Sequence, residues 1–166
     1  PKVKGVTKIA RLGGYYNLKY YKTVDHFIGN TPDICRWLVE DQNINENRVT
    51  HVNNFAELDP VEKPLSKTEF DTQETQFVFL AMARLHPVKG LDTALNALKN
   101  VPDAILWIAG AGPEEKSLKN LANDLGLTDR VRWLGWRTDR SALLDTCDAV
   151  LFPSRFEPFG GTFAQA

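Results

Sequence analysis

The sequence predicts an α/β protein built on a doubly wound, Rossmann-like parallel sheet. Short, continuously apolar runs recur through its second half ("FVFLAMAR", "DAILWIAG", "AVLFPS"), as expected of strands covered on both faces. The segments between them carry apolar residues at helical spacing. The two kinds alternate β-α-β-α-β-α-β, the order that parallel strands and crossover helices require. In such sheets ligands bind beyond the carboxyl ends of the strands, so the strand exits are the places to search for function.

The elements follow in order. "TKIARLGGYY" is an apolar run ending in a glycine turn, and "DHFIGNT" is a second, closed by Asn30 and Thr31. "TPDICRWLVED" starts a helix: Thr31 is the N-cap, Pro32 takes the first helical position and Asp33 lies in the first turn, with Ile34, Trp37 and Leu38 as the apolar stripe. "RVTHVNNF" reads as another strand. Residues 55–76 are polar, rich in acids and hold two prolines, which marks a linker between a segment 1–54 and a domain 77–166. Strands are expected over roughly 77–83, 104–110, 131–134 and 149–153. Leu91, Ala94, Leu95 and Leu98 form one helical stripe, and Leu118, Leu121, Ala122 and Leu125 a second, opened by Pro113 and closed by Gly126. "DRSALLDT" is a short helix. The chain begins at Pro1 and stops at Ala166 just as a helix starts, so a fragment of a longer protein is expected.

A net charge of −1 gives no reason to expect nucleic acid or an acidic membrane as partner. Cys35 and Cys147 stand far apart among apolar residues, the pattern of reduced, buried thiols in a cytosolic protein. No apolar run approaches the roughly 18 residues that span a bilayer, and "PKVKGVTK" has no signal-peptide core.

Each exit offers chemistry beside an ordinary structural explanation. Arg84 and Lys89 flank the turn after the strand at 77–83. Two cations beside a helix N-terminus suit a diphosphate, although basic residues in loops are commonly just solvated. "GAGPEE" is a weak dinucleotide signal, because the fingerprint should run GxGxxG after the first strand. Trp136 could stack on a base or a sugar, or pack at a domain edge. In "PSRFEPFGG", Glu157 can accept hydrogen bonds from sugar hydroxyls or simply cap a helix, while Gly160 and Gly161 let backbone N–H groups approach a ligand. Gln165 lies eight residues beyond Glu157, about two helical turns on.

Taken together and in order, "ARL…KG", "AGAGPEE", "WLG" and "FPSRFEPFGG" resemble the nucleotide-sugar-binding domain of retaining group 1 glycosyltransferases (family 4), enzymes of the two-domain GT-B fold. The likeness covers residues 77–166, and "PSRFEPFG" is its most specific part. The earlier segment is similar to the end of the N-terminal, acceptor-side domain, closest in character to bacterial members that build lipopolysaccharide and related surface polysaccharides.

The resemblance implies roles. Arg84 and Lys89 match the pair that binds the donor diphosphate and stabilises the leaving group. Glu157 matches the first acid of an E-x7-E motif, which contacts the donor sugar. Phe159, Gly160 and Gly161 match the loop that gives backbone donors to sugar and phosphate. The motif's second acid, which grips the ribose, falls on Gln165, and an amide has one acceptor oxygen where a carboxylate accepts two protons. The implied reaction is metal-independent transfer from a nucleotide-diphosphate sugar, such as a UDP- or GDP-sugar, to a glycan or lipid-linked acceptor with retained configuration. No further cofactor is implied. The implied location is cytoplasmic, with or without peripheral contact at the inner face of a membrane. The fragment alone is expected to be inactive. A nucleotide-sugar epimerase, a dinucleotide-dependent oxidoreductase and a non-catalytic nucleotide-sugar-binding protein remain as alternatives. The missing GxGxxG counts against the oxidoreductase, and Gln165 favours the non-catalytic protein.

Overall fold

The computed structural model describes residues 5–55, 60–61, 63–157 and 160. These residues fall into two compact units, 5–55 with Gly160 and 60–157.

The first unit holds three strands, β1 (Ile9–Leu12), β2 (His26–Gly29) and β3 (Val49–His51), paired in parallel in that order. Helix α1 (Pro32–Glu40) links β2 to β3, and its start follows the residues that signalled it. Thr31 Oγ1 accepts from the Ile34 N–H at 3.2 Å, and Pro32 needs no partner for an N–H it lacks. Ile34 and Leu38 bury against Ala10, Leu12 and Phe27.

The second unit is a four-stranded parallel sheet made of β4 (Phe77–Met82), β5 (Ala104–Ala109), β6 (Val131–Gly135) and β7 (Ala149–Val150). Their order across the sheet is β6-β5-β4-β7. All six residues of β5 are buried, because helices cover both faces. On one face α2 (Leu91–Leu98) and α3 (Glu115–Asp124) set Leu91, Leu95, Leu118 and Ala122 against Ala81, Leu106 and Ile108. On the other, Leu143 of α4 (Arg140–Thr146) packs with Val78, Leu80, Ile105 and Trp107. Each fully buried aliphatic side chain contributes roughly 1.5–3 kcal/mol. The sheet is therefore a stiff platform, and its carboxyl edge is the part left for ligands.

The segment expected as linker is ordered at its end. A short 3-10 turn, Lys67–Phe70, opens with a capping box in which Ser66 accepts at the Thr68 N–H and Glu69 accepts from the Ser66 N–H. Leu65 and Phe70 pack on the α4 face of the sheet, and Phe70 meets Trp107 edge-on at 4.8 Å. The Trp107 indole donates to Thr72 Oγ1 at 3.1 Å, both residues being buried. Cys35 and Cys147 are free thiols, half-buried, and burial raises the pKa of each. Among the described residues, no helix is long and apolar enough to cross a membrane.

Candidate functional site

In the second unit the chain winds from β4 to β5 to β6 and then returns to the other side of β4 as β7. That reversal opens a crevice between the carboxyl ends of β4 and β7, where open α/β sheets take ligands. Arg84 and Lys89 lie in the segment that follows β4, and Glu157 in the segment that follows β7.

The exit of β4 is held by its neighbour. The Ala83 N–H donates to Ala109 O and the Leu85 N–H to Ala111 O, so pairing with the exit of β5 continues past both strands. The two glycines of "GAG" make this approach possible. A Cβ on Gly110 would lie 1.9 Å from Ala83 O, and one on Gly112 2.3 Å from Leu85 O. The GxG motif thus serves close backbone contact between the exits of β4 and β5. The turn Pro87–Lys89 follows, then Gly90 with φ +62°, and α2 begins only at Leu91. Lys89 therefore ends this turn, two residues before the helix.

Lys89 Nζ forms an ion pair with Glu157 Oε2 across the crevice. The side chains are 22% and 37% exposed, and neither makes another side-chain hydrogen bond among the described residues. Most of the donor and acceptor capacity of the pair is therefore unused. Arg84 is exposed and has no hydrogen bond or ion pair among the described residues. It lines a cavity of about 490 Å³ with Met82, Trp136, Arg137 and Arg140. The Trp136 ring is 75% exposed there. Arg137 donates to both Asp139 oxygens, a pairing that lowers the Asp139 pKa, and it lies over the Phe70 ring at 5.3 Å. The structure thus brings Lys89 to Glu157, and Arg84 to Trp136. Gly160 has φ +74°, a conformation that favours glycine. Phe159, Gly161 and Gln165 lie outside the described residues.

Sequence reasoning missed Arg155. Its guanidinium grips Asp92 with two hydrogen bonds, Nη1 to Oδ1 at 2.9 Å and Nη2 to Oδ2 at 2.6 Å. Nη1 also donates to Pro87 O at 2.6 Å, and the Arg155 N–H donates to Val88 O at 2.8 Å. No signal in the sequence connects Arg155 to a carboxylate 63 residues away.

The family profile described as "Glycosyl transferases group 1" matches residues 62–166. The chain belongs to the group 1 glycosyltransferases. This glycosyltransferase chain is 33% identical over 167 residues to the lipopolysaccharide core biosynthesis glycosyltransferase LpsE of Rhizobium meliloti, an alignment covering 100% of this chain and 48% of that protein. It is 34% identical over 155 residues to LpsD of the same organism, named for the same process, covering 92% of this chain and 44% of that protein. The chain thus spans about half the length of the curated relatives it matches. Among solved structures, Anabaena Alr3699/HepE in complex with UDP-glucose superposes with a TM-score of 0.78 at 20% identity, covering 96% of this chain and 50% of that one. That likeness establishes the fold, a parallel-sheet α/β architecture shared with GT-B glycosyltransferases.

Proposed function

We propose that this chain is the donor-side part of a longer retaining glycosyltransferase. The enzyme moves a sugar from a nucleotide-diphosphate sugar to a glycan or lipid-linked acceptor. In this reading residues 1–54 end the acceptor-side domain, 55–76 link it onward and 77–166 bind the donor. The names of LpsE and LpsD support an acceptor in lipopolysaccharide or a related surface polysaccharide. UDP-glucose in the HepE complex supports a nucleotide-sugar donor.

The observation that carries the proposal is the Lys89–Glu157 pair at the β4–β7 crevice, with Arg84, unpaired among the described residues, on the same β4 exit. Breaking a sugar–diphosphate bond builds negative charge on the leaving phosphate. Cations fixed beforehand on a rigid strand exit stabilise that charge without reorganising. Before donor binds, Glu157 neutralises Lys89 and keeps it in place. A donor sugar offers hydroxyl protons to Glu157, and its diphosphate draws Lys89 and Arg84. Trp136 offers a ring face to the nucleotide. These residues perform the transfer without calling on a metal ion. Backbone donors from Phe159, Gly160 and Gly161, and ribose contact by Gln165, are assigned by family resemblance alone. The chain spans about half the length of the curated relatives it matches, so we expect it to be inactive by itself and to act from the cytoplasmic side within a longer protein.

Saturation-transfer NMR against a panel of UDP- and GDP-sugars tests donor binding, and a transfer assay on the full-length protein tests turnover. The expected result is transfer of saturation to the nucleotide and sugar protons of one donor, and a product whose anomeric coupling matches that donor. Inverted coupling would remove retention. No binding by any donor, with the protein folded, would remove the proposal.

A further inference from the structure

We propose that Arg155 and Asp92 form a clamp that positions Glu157 against Lys89, a role that rests on the donor-site reading above. Glu157 leaves a strand of only two residues, and beyond Leu151 the backbone of β7 no longer pairs with β4. Arg155 supplies contacts that can fix the carboxylate, running to the turn that carries Lys89 and to the first turn of α2. The Arg155 N–H is bonded to Val88 O, next in sequence to Lys89. Its guanidinium holds Pro87 O and both oxygens of Asp92 in the first turn of α2. Pro153 O sits where a Cβ of residue 90 would be, 2.1 Å from that point, and Gly90 has φ +62°. A side chain at position 90 would push the two exits apart and strain the backbone as well. The exit of β7 is therefore fastened to the Lys89 turn through Arg155, two residues before Glu157, and lies close against Gly90 at Pro153.

The exposure of the clamp separates positioning from stability. Arg155 and Asp92 side chains are 49% and 45% exposed, and ion pairs that wet contribute little to folding. The planar two-point grip nonetheless fixes direction as well as distance, which a lysine cannot do. Misplacing a reacting group by about 1 Å can cost about 100-fold in rate. A device with small stabilising value and high geometric value is what a catalytic loop needs.

The test uses the full-length protein with the nucleotide sugar that the panel identifies. Asp92→Ala and Arg155→Ala should each lower kcat about 10- to 100-fold, change affinity for the free nucleoside diphosphate less than about 3-fold, and leave the melting temperature within a few degrees. Arg155→Lys should not restore the rate. In a Lys89→Ala background the same substitutions should cost little more, because the clamp acts through that pair. Hydrogen exchange at the Arg155 amide should quicken at least about 10-fold in Asp92→Ala, with or without donor. Unchanged kcat, or an equal loss in the Lys89→Ala background, overturns the proposal. A drop in melting temperature that accounts for the lost activity overturns it too, by making the pair merely structural. If the wild-type protein takes no donor at all, the donor-site reading fails and the clamp's role with it, whereas the exchange result then reports only that the clamp exists.

Discussion

Two lysine–carboxylate pairs tie the flanks of β4 to those of β7, one at each end of the same two strands. At the amino end, Lys67 Nζ meets Asp148 Oδ2 at 2.6 Å. Lys67 also donates to Gln76 O, and Asp148 also accepts the Val78 N–H. Lys67 is 8% exposed as a residue. At the carboxyl end, Lys89 meets Glu157 and makes no second side-chain bond among the described residues. The chemistry of the two pairs is the same, but each member of one also bonds a backbone group, whereas neither member of the other makes a second side-chain bond among the described residues. A pair whose lysine is buried and whose two members are both tied to the backbone is committed to the fold. A pair without such ties, at a sheet's carboxyl edge, can exchange its partner for a ligand. The contrast teaches that residue type and pairing alone do not separate a pair that ties the fold from one open to a ligand.

The largest effect should come from breaking the backbone-tied pair. Asp148→Ala leaves the buried Lys67 ammonium without its counter-charge and is expected to destabilise by about 3 kcal/mol, the low end for a broken buried pair because the Asp148 side chain is 35% exposed, measured by urea unfolding. Replacing both residues, Lys67→Met with Asp148→Leu, should cost much less, since no charge is then stranded. Donor affinity per folded molecule should be unchanged in both variants. Weakened donor binding in the double variant would erase the distinction between the two ends.

Next comes Lys89→Ala in the full-length protein. Turnover should fall about 100- to 1,000-fold, by analogy with loss of one preorganised donor to developing charge. Stability should stay within about 0.5 kcal/mol, because a half-exposed pair stabilises little. Normal turnover would return Lys89 to the class of solvated surface charges.

What the sequence made legible follows the same division. The strands β4 and β5 stood out because burial between two layers of helices favours unbroken apolar runs, and the stripes of α2 and α3 because one face of each is buried. β7 is shorter than the run "AVLFP" suggests. Pro153 has no N–H to give a ladder, and its carbonyl is turned toward Gly90 instead. The Lys67 turn read as linker because it is polar, yet its Ser66-x-x-Glu69 capping box was a readable helix-start signal. The Asp148 carboxylate is held by the Lys67 ammonium and the Val78 N–H, contacts 81 and 70 residues apart that no local pattern announces. At the site, strand exits named Arg84, Lys89 and Glu157, but which of them touch depends on the winding order, and Arg155 on a contact 63 residues long.

A smaller effect concerns acid. Burial raises the Asp148 pKa, but the hydrogen bonds from Lys67 and from the Val78 N–H, with the Lys67 charge, outweigh it and hold the carboxyl below its ordinary 3.8. A carboxyl with a depressed folded pKa contributes stability that is complete above the unfolded value and lost as pH falls through the folded one. The window therefore lies below about pH 3.8. There, stability of the wild type should fall with pH more steeply than that of Asp148→Asn, by less than about 1.4 kcal/mol per pH unit, since one group titrates and its side chain is 35% exposed. Equal slopes would mean that Asp148 is not the committed carboxylate the comparison needs.

The smallest effect is at Gln165, where family resemblance places a carboxylate that this chain lacks. In the full-length protein, Gln165→Glu should tighten nucleotide binding by about 1 kcal/mol. A carboxylate can accept both ribose hydroxyl protons where the amide accepts one, and the gain is reduced by the cost of desolvating the new charge. The 2′-deoxy nucleotide sugar lacks one of those hydroxyls, so its gain should be smaller. Calorimetry on both proteins with both ligands closes a double-mutant cycle. The comparison also sharpens the view of Glu157: if a second acid restores grip on the ribose, Glu157 is free to serve the sugar and Lys89 alone. If both ligands gain equally, or neither gains, Gln165 is not at the ribose. The E-x7-E correspondence would then hold only at Glu157, the one member whose partner is seen.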